Sequence, residues 1–210
     1  MRFRDRSDAG RQLADRLGPL GGPDVVVLGL PRGGVPVAAE VARALDAPLD
    51  VIVVRKVGAP GQHELAMGAL GEGGVRVVDE RVVRLAQVRP EEFARAAERE
   101  QVELARCVQR FRGDRASVPL TGRLAVLVDD GIATGSTARA ACSVARALGA
   151  AGVVLAAPVC APESARSLRA DVDRLVCLQC PRHFSAVGQF YVDFRPTDDD
   201  EVIALLQRTG

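Results

Sequence analysis

Residues Leu124–Thr137 read LAVLVDDGIATGST. An apolar run of strand length delivers two adjacent carboxylates, Asp129 and Asp130, to its carboxyl tip, and a turn of small residues then opens a helix. The backbone N–H groups of Thr134, Gly135, Ser136 and Thr137 at that helix start lack helical acceptors. With the hydroxyls of Thr134, Ser136 and Thr137 they suit a phosphate dianion, which a helix N-terminus holds without a basic side chain. Gly135 lets the backbone approach closely. The twin carboxylates accept hydrogen bonds from vicinal ribose hydroxyls, or hold a hydrated Mg²⁺ whose preferred ligands are oxygens. The chemistry indicated is the grip of a sugar phosphate. No Gly-Lys-Ser/Thr follows the glycines and no G-x-G-x-x-G is present, so neither a Walker A loop nor a dinucleotide fingerprint accounts for the run.

The elements that must position these residues alternate in type. Val25–Leu30 reads as a strand buried on both faces, Val35–Leu45 as a helix and Asp50–Val54 as a second strand, with Arg55 and Lys56 at its tip. Leu124 begins another strand, Ser136–Leu148 another helix closed by Gly149, and Val153–Val159 a further strand. A short helix at Ala161–Ala170 and a last strand at Arg174–Leu178 follow. Continuous apolar strands joined by helices imply a doubly wound α/β fold with a mainly parallel central sheet, whose ligands sit beyond the carboxyl ends of the strands. Three regions lie outside that pattern: an N-terminal helix at residues 7–17 beginning near Ser7, a 57–122 excursion, and an aromatic-rich tail. The excursion is expected to hold a Gly/Pro-rich loop, a short strand pair at Ala66–Leu70 and Val75–Val78, and charged helices. It is expected to act as a lid, a dimer contact or both. A terminal helix is expected from Thr197 through Leu206.

The Leu124–Thr137 run resembles the type I phosphoribosyltransferases, whose motif is four apolar residues, two acids, two mostly aliphatic residues and a Thr/Ser/Gly-rich loop. Here these are Ala125–Val128, Asp129-Asp130, Gly131-Ile132 and Ala133-Thr134-Gly135-Ser136-Thr137. Leu30-Pro31-Arg32-Gly33-Gly34 follows the first strand where the family keeps its diphosphate loop, often with a strained or cis non-proline peptide at the position of Pro31-Arg32. Arg55-Lys56 stands where relatives place basic residues against the leaving group, and Lys56 is the one lysine among 28 basic residues. The stretches RKVGAPGQHELAMGAL and FSAVGQFYVDF are similar to those of a bacterial phosphoribosyltransferase subgroup.

The resemblance implies a Mg²⁺-dependent transfer of 5-phosphoribosyl from 5-phospho-α-D-ribosyl 1-diphosphate (PRPP) to a nitrogenous base, with release of diphosphate. It assigns the 5-phosphate to Ala133, Thr134, Gly135, Ser136 and Thr137. It assigns diphosphate to Arg32, Gly33, Gly34, Arg55 and Lys56. Catalysis falls to Asp129, Asp130 and Lys56, with Mg²⁺ held by the two aspartates through water. The 6-oxopurine-type relatives carry an aspartate where this chain has Ala133, so an adenine-type base fits better than a 6-oxopurine. Phe184, Phe190 and Tyr191 are the candidates to stack on the base within a small C-terminal hood. His183 and His63 are candidates for acid–base work on it. A PRPP-sensing regulator without turnover is the rival reading.

Composition narrows the partners. Basic and acidic residues number 28 and 27, a net charge of +1, so an anion must be gripped locally and bulk nucleic-acid binding is disfavoured. No apolar run approaches the ~20 residues of a membrane span, and no apolar segment follows the basic residues of the N-terminus; the expectation is a cytoplasmic protein without a membrane partner. Five cysteines in apolar segments read as buried thiols, and the Cys177/Cys180 spacing lacks a second pair or a histidine for a zinc site. One domain is expected over residues 1–210: a core of about 22–56 and 123–180, the insertion 57–122, and the hood 181–210. A homodimer is expected.

Overall fold

A computed structural model describes residues 2–18, 20 and 24–208, with the side chains of His63 and Glu64 outside the description. Five parallel strands form the central sheet: β1 (Val25–Gly29), β2 (Leu49–Val51), β6 (Leu124–Val128), β7 (Gly152–Val159) and β8 (Arg174–Gln179). Their order is β2-β1-β6-β7-β8. Side chains alternate faces along a strand, and both faces are apolar because both are covered. Val25, Val27, Val126, Val128, Val154 and Ala156 pack toward α1 (Arg6–Leu17) and α2 (Gly34–Leu45). Val26, Leu28, Ala125, Leu127, Val153 and Leu155 pack toward α5 (Ser136–Ala147) and α6 (Pro162–Leu168).

Register is what brings the site together. Val25 pairs with Leu124 and Gly29 with Val128, so β1 and β6 end in step. Leu30 then donates to the Val128 carbonyl at 2.9 Å and Asp129 to that of Ala156 at 3.2 Å, which sets the loop after β1 beside the acidic tip of β6.

The expected second strand, Asp50–Val54, divides between two sheets. The core strand ends at Val51; after Ile52 and Val53 the chain enters β3 (Val54–Ala59) of a separate antiparallel sheet with β4 (Gln62–Gly71) and β5 (Arg76–Val78). Val51, Ile52 and Val53 are apolar and buried and Val54 is partly buried, so the apolar pattern runs across the exchange without a mark. Arg55 and Lys56 therefore lie inside β3 and not at a core-strand tip. The Gly/Pro-rich segment is the β3–β4 hairpin, and the expected strand pair is a three-stranded sheet. Helix α3 (Glu80–Leu85) follows, then α4 (Pro90–Arg112), which buries Phe93, Ala97, Leu104 and Phe111 along one stripe and leaves its charged face outside.

The termini meet. Helix α1 begins at Arg6, not Ser7, because Asp5 is the cap, its carboxylate accepting from the Asp8 N–H at 2.7 Å. Phe3 pairs with Tyr191, and Phe3, Phe190 and Tyr191 form a small separate core. The terminal helix α7 (Asp199–Arg208) leaves this hood and buries Val202 and Leu206 in the main core. Among the described residues no helix is long and apolar enough to cross a membrane.

Candidate active site

Three loops converge at the carboxyl edge of the sheet. The first is Leu30–Gly34, with a cis peptide between Pro31 and Arg32. The second is the Asp129-Asp130 tip of β6. The third is Ala133–Thr137, where Gly135, at φ +76°, caps α5. A side chain at Gly135 is excluded by that backbone conformation and by Leu168 beside it. The first two loops touch closely enough to require glycine. A Cβ on Gly33 would overlap the Asp130 carboxylate, and one on Gly34 would lie 2.5 Å from the Val128 carbonyl oxygen and 2.9 Å from the Asp129 Cα. The obstacle at Gly34 is backbone, which cannot rotate away. Gly34→Ala is expected to lower stability by about 1–3 kcal/mol, as overpacking does, and to widen the gap between the two loops. Chemical denaturation should show it as a lower midpoint at unchanged slope.

The acids sit in an unequal setting. Asp130 Oδ2 accepts from Arg6 Nε at 2.8 Å, in a pair whose side chains are only 12% and 14% exposed. Arg6 also donates to the Arg195 carbonyl at 2.7 Å and lies over the Phe194 ring at 4.0 Å. The Tyr191 hydroxyl donates to the Asp130 carbonyl at 2.7 Å. Asp129 Oδ1 accepts the Asp130 N–H at 2.9 Å. Burial, with the Asp130 charge adding to it, pushes the Asp129 carboxyl well above the usual carboxylate range. Burial raises Asp130 too, and the Arg6 guanidinium opposes that rise. Two acids thus share one positive side chain. An oxygen-only pair whose negative charge burial holds back until a cation or a hydrogen-bond donor arrives fits a hydrated divalent cation or a sugar diol.

The third loop holds its hydroxyls in a chain. Thr134 Oγ1 and Ser136 Oγ are 3.1 Å apart, and Lys56 Nζ donates to Ser136 Oγ at 3.0 Å. Lys56, expected against the diphosphate, is thus brought by β3 to the loop expected to hold the 5-phosphate. Arg32 and Arg55 line a different cavity, of about 400 Å³, between the first loop and α4. Arg55 pairs with Glu100 at 2.8 Å.

Of the three aromatics expected to read the base, Phe184 borders a cleft. That cleft, of about 840 Å³, is also lined by Ala133, Thr134 and the start of α6, where Glu163 and Arg166 stand beside Arg182. Phe190 and Tyr191, expected to stack on a base, are 9% and 3% exposed and pack against Phe3 and Phe184 instead; both rings are consumed by the hood's own core. His183 is exposed and offers its carbonyl to Gln189 at 3.2 Å. The His63 side chain lies outside the described residues. The thiols divide: Cys142 and Cys160 are buried, Cys107 and Cys177 half-buried, and Cys180, expected inside, is exposed.

Arg6, Arg110 and Asp199 have no counterpart in the motif reading. Arg6 meets its partner across 124 positions of sequence, and no local pattern marks such a pair.

Fold and loops together define an α/β domain with its polar groups clustered at the carboxyl edge of a parallel sheet. Residues 7–195 match the family model of the phosphoribosyl transferase domain. A Mycobacterium tuberculosis protein named "Putative phosphoribosyl transferase" is 56% identical over 206 residues, covering 98% of this chain and 46% of that protein. The chain thus spans about half the length of the curated relatives it matches. The crystal structure of the TT1426 protein of Thermus thermophilus is 47% identical, with a TM-score of 0.93 over 100% of this chain and 99% of that one. At 10% identity and a TM-score of 0.52, the AQ2163 protein of Aquifex aeolicus shares the fold alone. The chain belongs to the phosphoribosyl transferase domain family.

Proposed function

We propose that this domain binds PRPP and transfers its 5-phosphoribosyl group to a nitrogenous base, with loss of diphosphate. One observation carries the reading: the register of β1 against β6 puts the Leu30–Gly34 loop, the acid pair and the α5 N-terminus within one patch at the sheet's carboxyl edge. In this reading the amides and hydroxyls of Thr134–Thr137, with Lys56 on Ser136, take the 5-phosphate. Asp130, its Oδ2 held by Arg6, offers Oδ1 to the ribose diol, and Asp129 lies beside it. Arg32, the Gly33 amide and Arg55 face the diphosphate, while the Gly34 amide, expected there too, donates to the Leu30 carbonyl at 3.0 Å.

A displacement at the sugar C1 develops positive charge on the ring and negative charge on the leaving group. The work is therefore fixing both ends of the sugar and holding charge, with no nucleophile from the protein. Mg²⁺, held by Asp129 and Asp130 through water, would supply charge neutralisation at the diphosphate. The cleft between Ala133 and Phe184 is the place for the base. Ala133 stands where the 6-oxopurine-type enzymes of the family carry an aspartate, and that resemblance favours an adenine-type base over a 6-oxopurine. Glu163, Arg166 and Arg182 at the rim widen the chemistry worth testing to acidic bases.

The test is diphosphate release from PRPP and Mg²⁺ with a panel of purines, pyrimidines and pyridine carboxylates. Base-dependent release is the expected result. Tight PRPP binding with no release on any base would replace the transferase by a sensor of PRPP.

A further inference from the structure

The cavity of about 400 Å³ beside the Leu30–Gly34 loop is ringed by Arg32, Arg55, Arg110 and Thr137, and one carboxylate stands among them. Asp199, in the first turn of α7, places Oδ2 at 3.0 Å from an Arg110 terminal nitrogen and Oδ1 at 3.5 Å from one of Arg32. Asp199 is not needed as a helix cap. That role falls to Asp198, whose carboxylate accepts the Glu201 N–H at 2.8 Å. Nor is the ion pair a buried structural one: the side chains of Arg32 and Arg110 are 53% and 59% exposed. An exposed carboxylate–arginine pair is worth little and exchanges readily. A polyphosphate offers the same guanidinium groups more charge and bidentate geometry, so it displaces a carboxylate from them.

We propose that Arg110 and Asp199 belong to the leaving-group site: Arg110 binds the diphosphate of PRPP, and Asp199 is a built-in competing anion that occupies Arg32 and Arg110 until diphosphate displaces it. The inference rests on the PRPP-binding reading above. It adds to the loop residues a cation from the α4 insertion and a carboxylate from the terminal helix. The diphosphate end of the site then depends on four separate segments of chain: the Leu30–Gly34 loop, β3, α4 and α7. Affinity for PRPP is set below what the arginines alone would give, since each binding event must break the two Asp199 contacts.

Isothermal titration with PRPP and with inorganic diphosphate, each with and without Mg²⁺ at physiological salt, tests this on four proteins. Asp199→Asn should tighten both ligands about threefold to tenfold, and Arg110→Gln should weaken both by about the same factor. Asp200→Asn removes an equal charge from the same helical turn without touching the arginines. Asp200 is exposed and makes neither contact, so its loss reports the through-solvent share of the charge alone and should change both affinities by less than Asp199→Asn does. If Asp199→Asn leaves affinity as in the wild type, weakens it, or only matches Asp200→Asn, the competing-anion role is wrong. An Arg110→Gln variant that binds diphosphate normally removes Arg110 from the site. A wild-type protein that binds neither ligand overturns the PRPP reading itself, and this inference with it. Wild-type binding with flat variants overturns the inference alone.

Discussion

An Asp130→Asn protein is expected to lose about 10²- to 10³-fold in phosphoribosyl transfer while keeping its fold. The amide has the shape of the carboxyl group, and its oxygen still accepts from Arg6 Nε, which is 2.8 Å from Oδ2 in the native protein. The Tyr191 hydroxyl bonds the Asp130 main-chain carbonyl, which the substitution leaves in place. In the proposed reaction, what disappears is negative charge beside the sugar ring where positive charge develops. Diphosphate release with the best base of the panel measures the loss, and circular dichroism melts verify the fold. Turnover equal to that of the wild type would remove Asp130 from the reaction and leave it a structural partner of Arg6.

Arg112→Ala is expected to cost about 3–5 kcal/mol, the range for breaking a buried ion pair from one side. The Arg112 side chain is 6% exposed and that of Asp50 2%. The guanidinium reaches Asp50 Oδ1 at 3.2 and 3.3 Å and the Val51 carbonyl at 3.2 Å, and it also pairs with Glu72. These contacts tie the end of α4 to the last core residues of β2 and to the turn after β4. Burial works against the charge on Arg112, but Glu72 and Asp50 outweigh it and hold its pKa above the ordinary value; the guanidinium stays charged at every pH the fold survives. Without it, the Asp50 carboxylate keeps backbone donors, Val51 at 2.8 Å and Val118 at 2.9 Å, but loses the guanidinium's counter-charge. At about 2–4 °C per kcal/mol for a domain of this size, the melting midpoint should fall by about 10 °C. Adding Asp50→Asn should recover part of that loss, since the stranded charge goes with it. A single variant melting within about 2 °C of the wild type would show the triad to be energetically neutral.

The two results bear on different links of one chain of causes. In the proposed reaction Asp130 acts where charge appears. Arg112 acts at the joint where the chain leaves the parallel sheet for the antiparallel one, and β3 beyond that joint carries Lys56 to Ser136. Loosening the joint is expected to disturb the Ala133–Thr137 loop through that lysine and through the packing of β3 and β4 on α5.

The elements that proved most legible were those whose local pattern and final environment coincide. Strands β1, β6 and β7 are apolar on both faces because helices cover both faces, and the loop between β6 and α5 has one structural use for its glycine and hydroxyls. Legibility failed where burial looks alike in two settings. After Asp50, VIVV is one apolar run in sequence, yet it feeds two sheets. Phe190 and Tyr191 are aromatic whether they stack on a ligand or fill a hood that has few other core residues; the fold used them for the hood. Arg55 and Lys56 are neighbours in sequence and point to different partners, Glu100 and Ser136, because successive residues of a strand face opposite sides.

By itself the sequence determined the α/β architecture and the order of acids, glycines and hydroxyls that anions and sugars require, since hydrophobic period and turn chemistry are local properties. Only the tertiary structure decided which charges meet. Arg6 with Asp130, Arg110 with Asp199 and Arg112 with Asp50 are joined across 124, 89 and 62 positions. Such pairs are fixed by how helices and sheets pack, and a guanidinium that will be buried against a carboxylate looks the same in sequence as one that will face water.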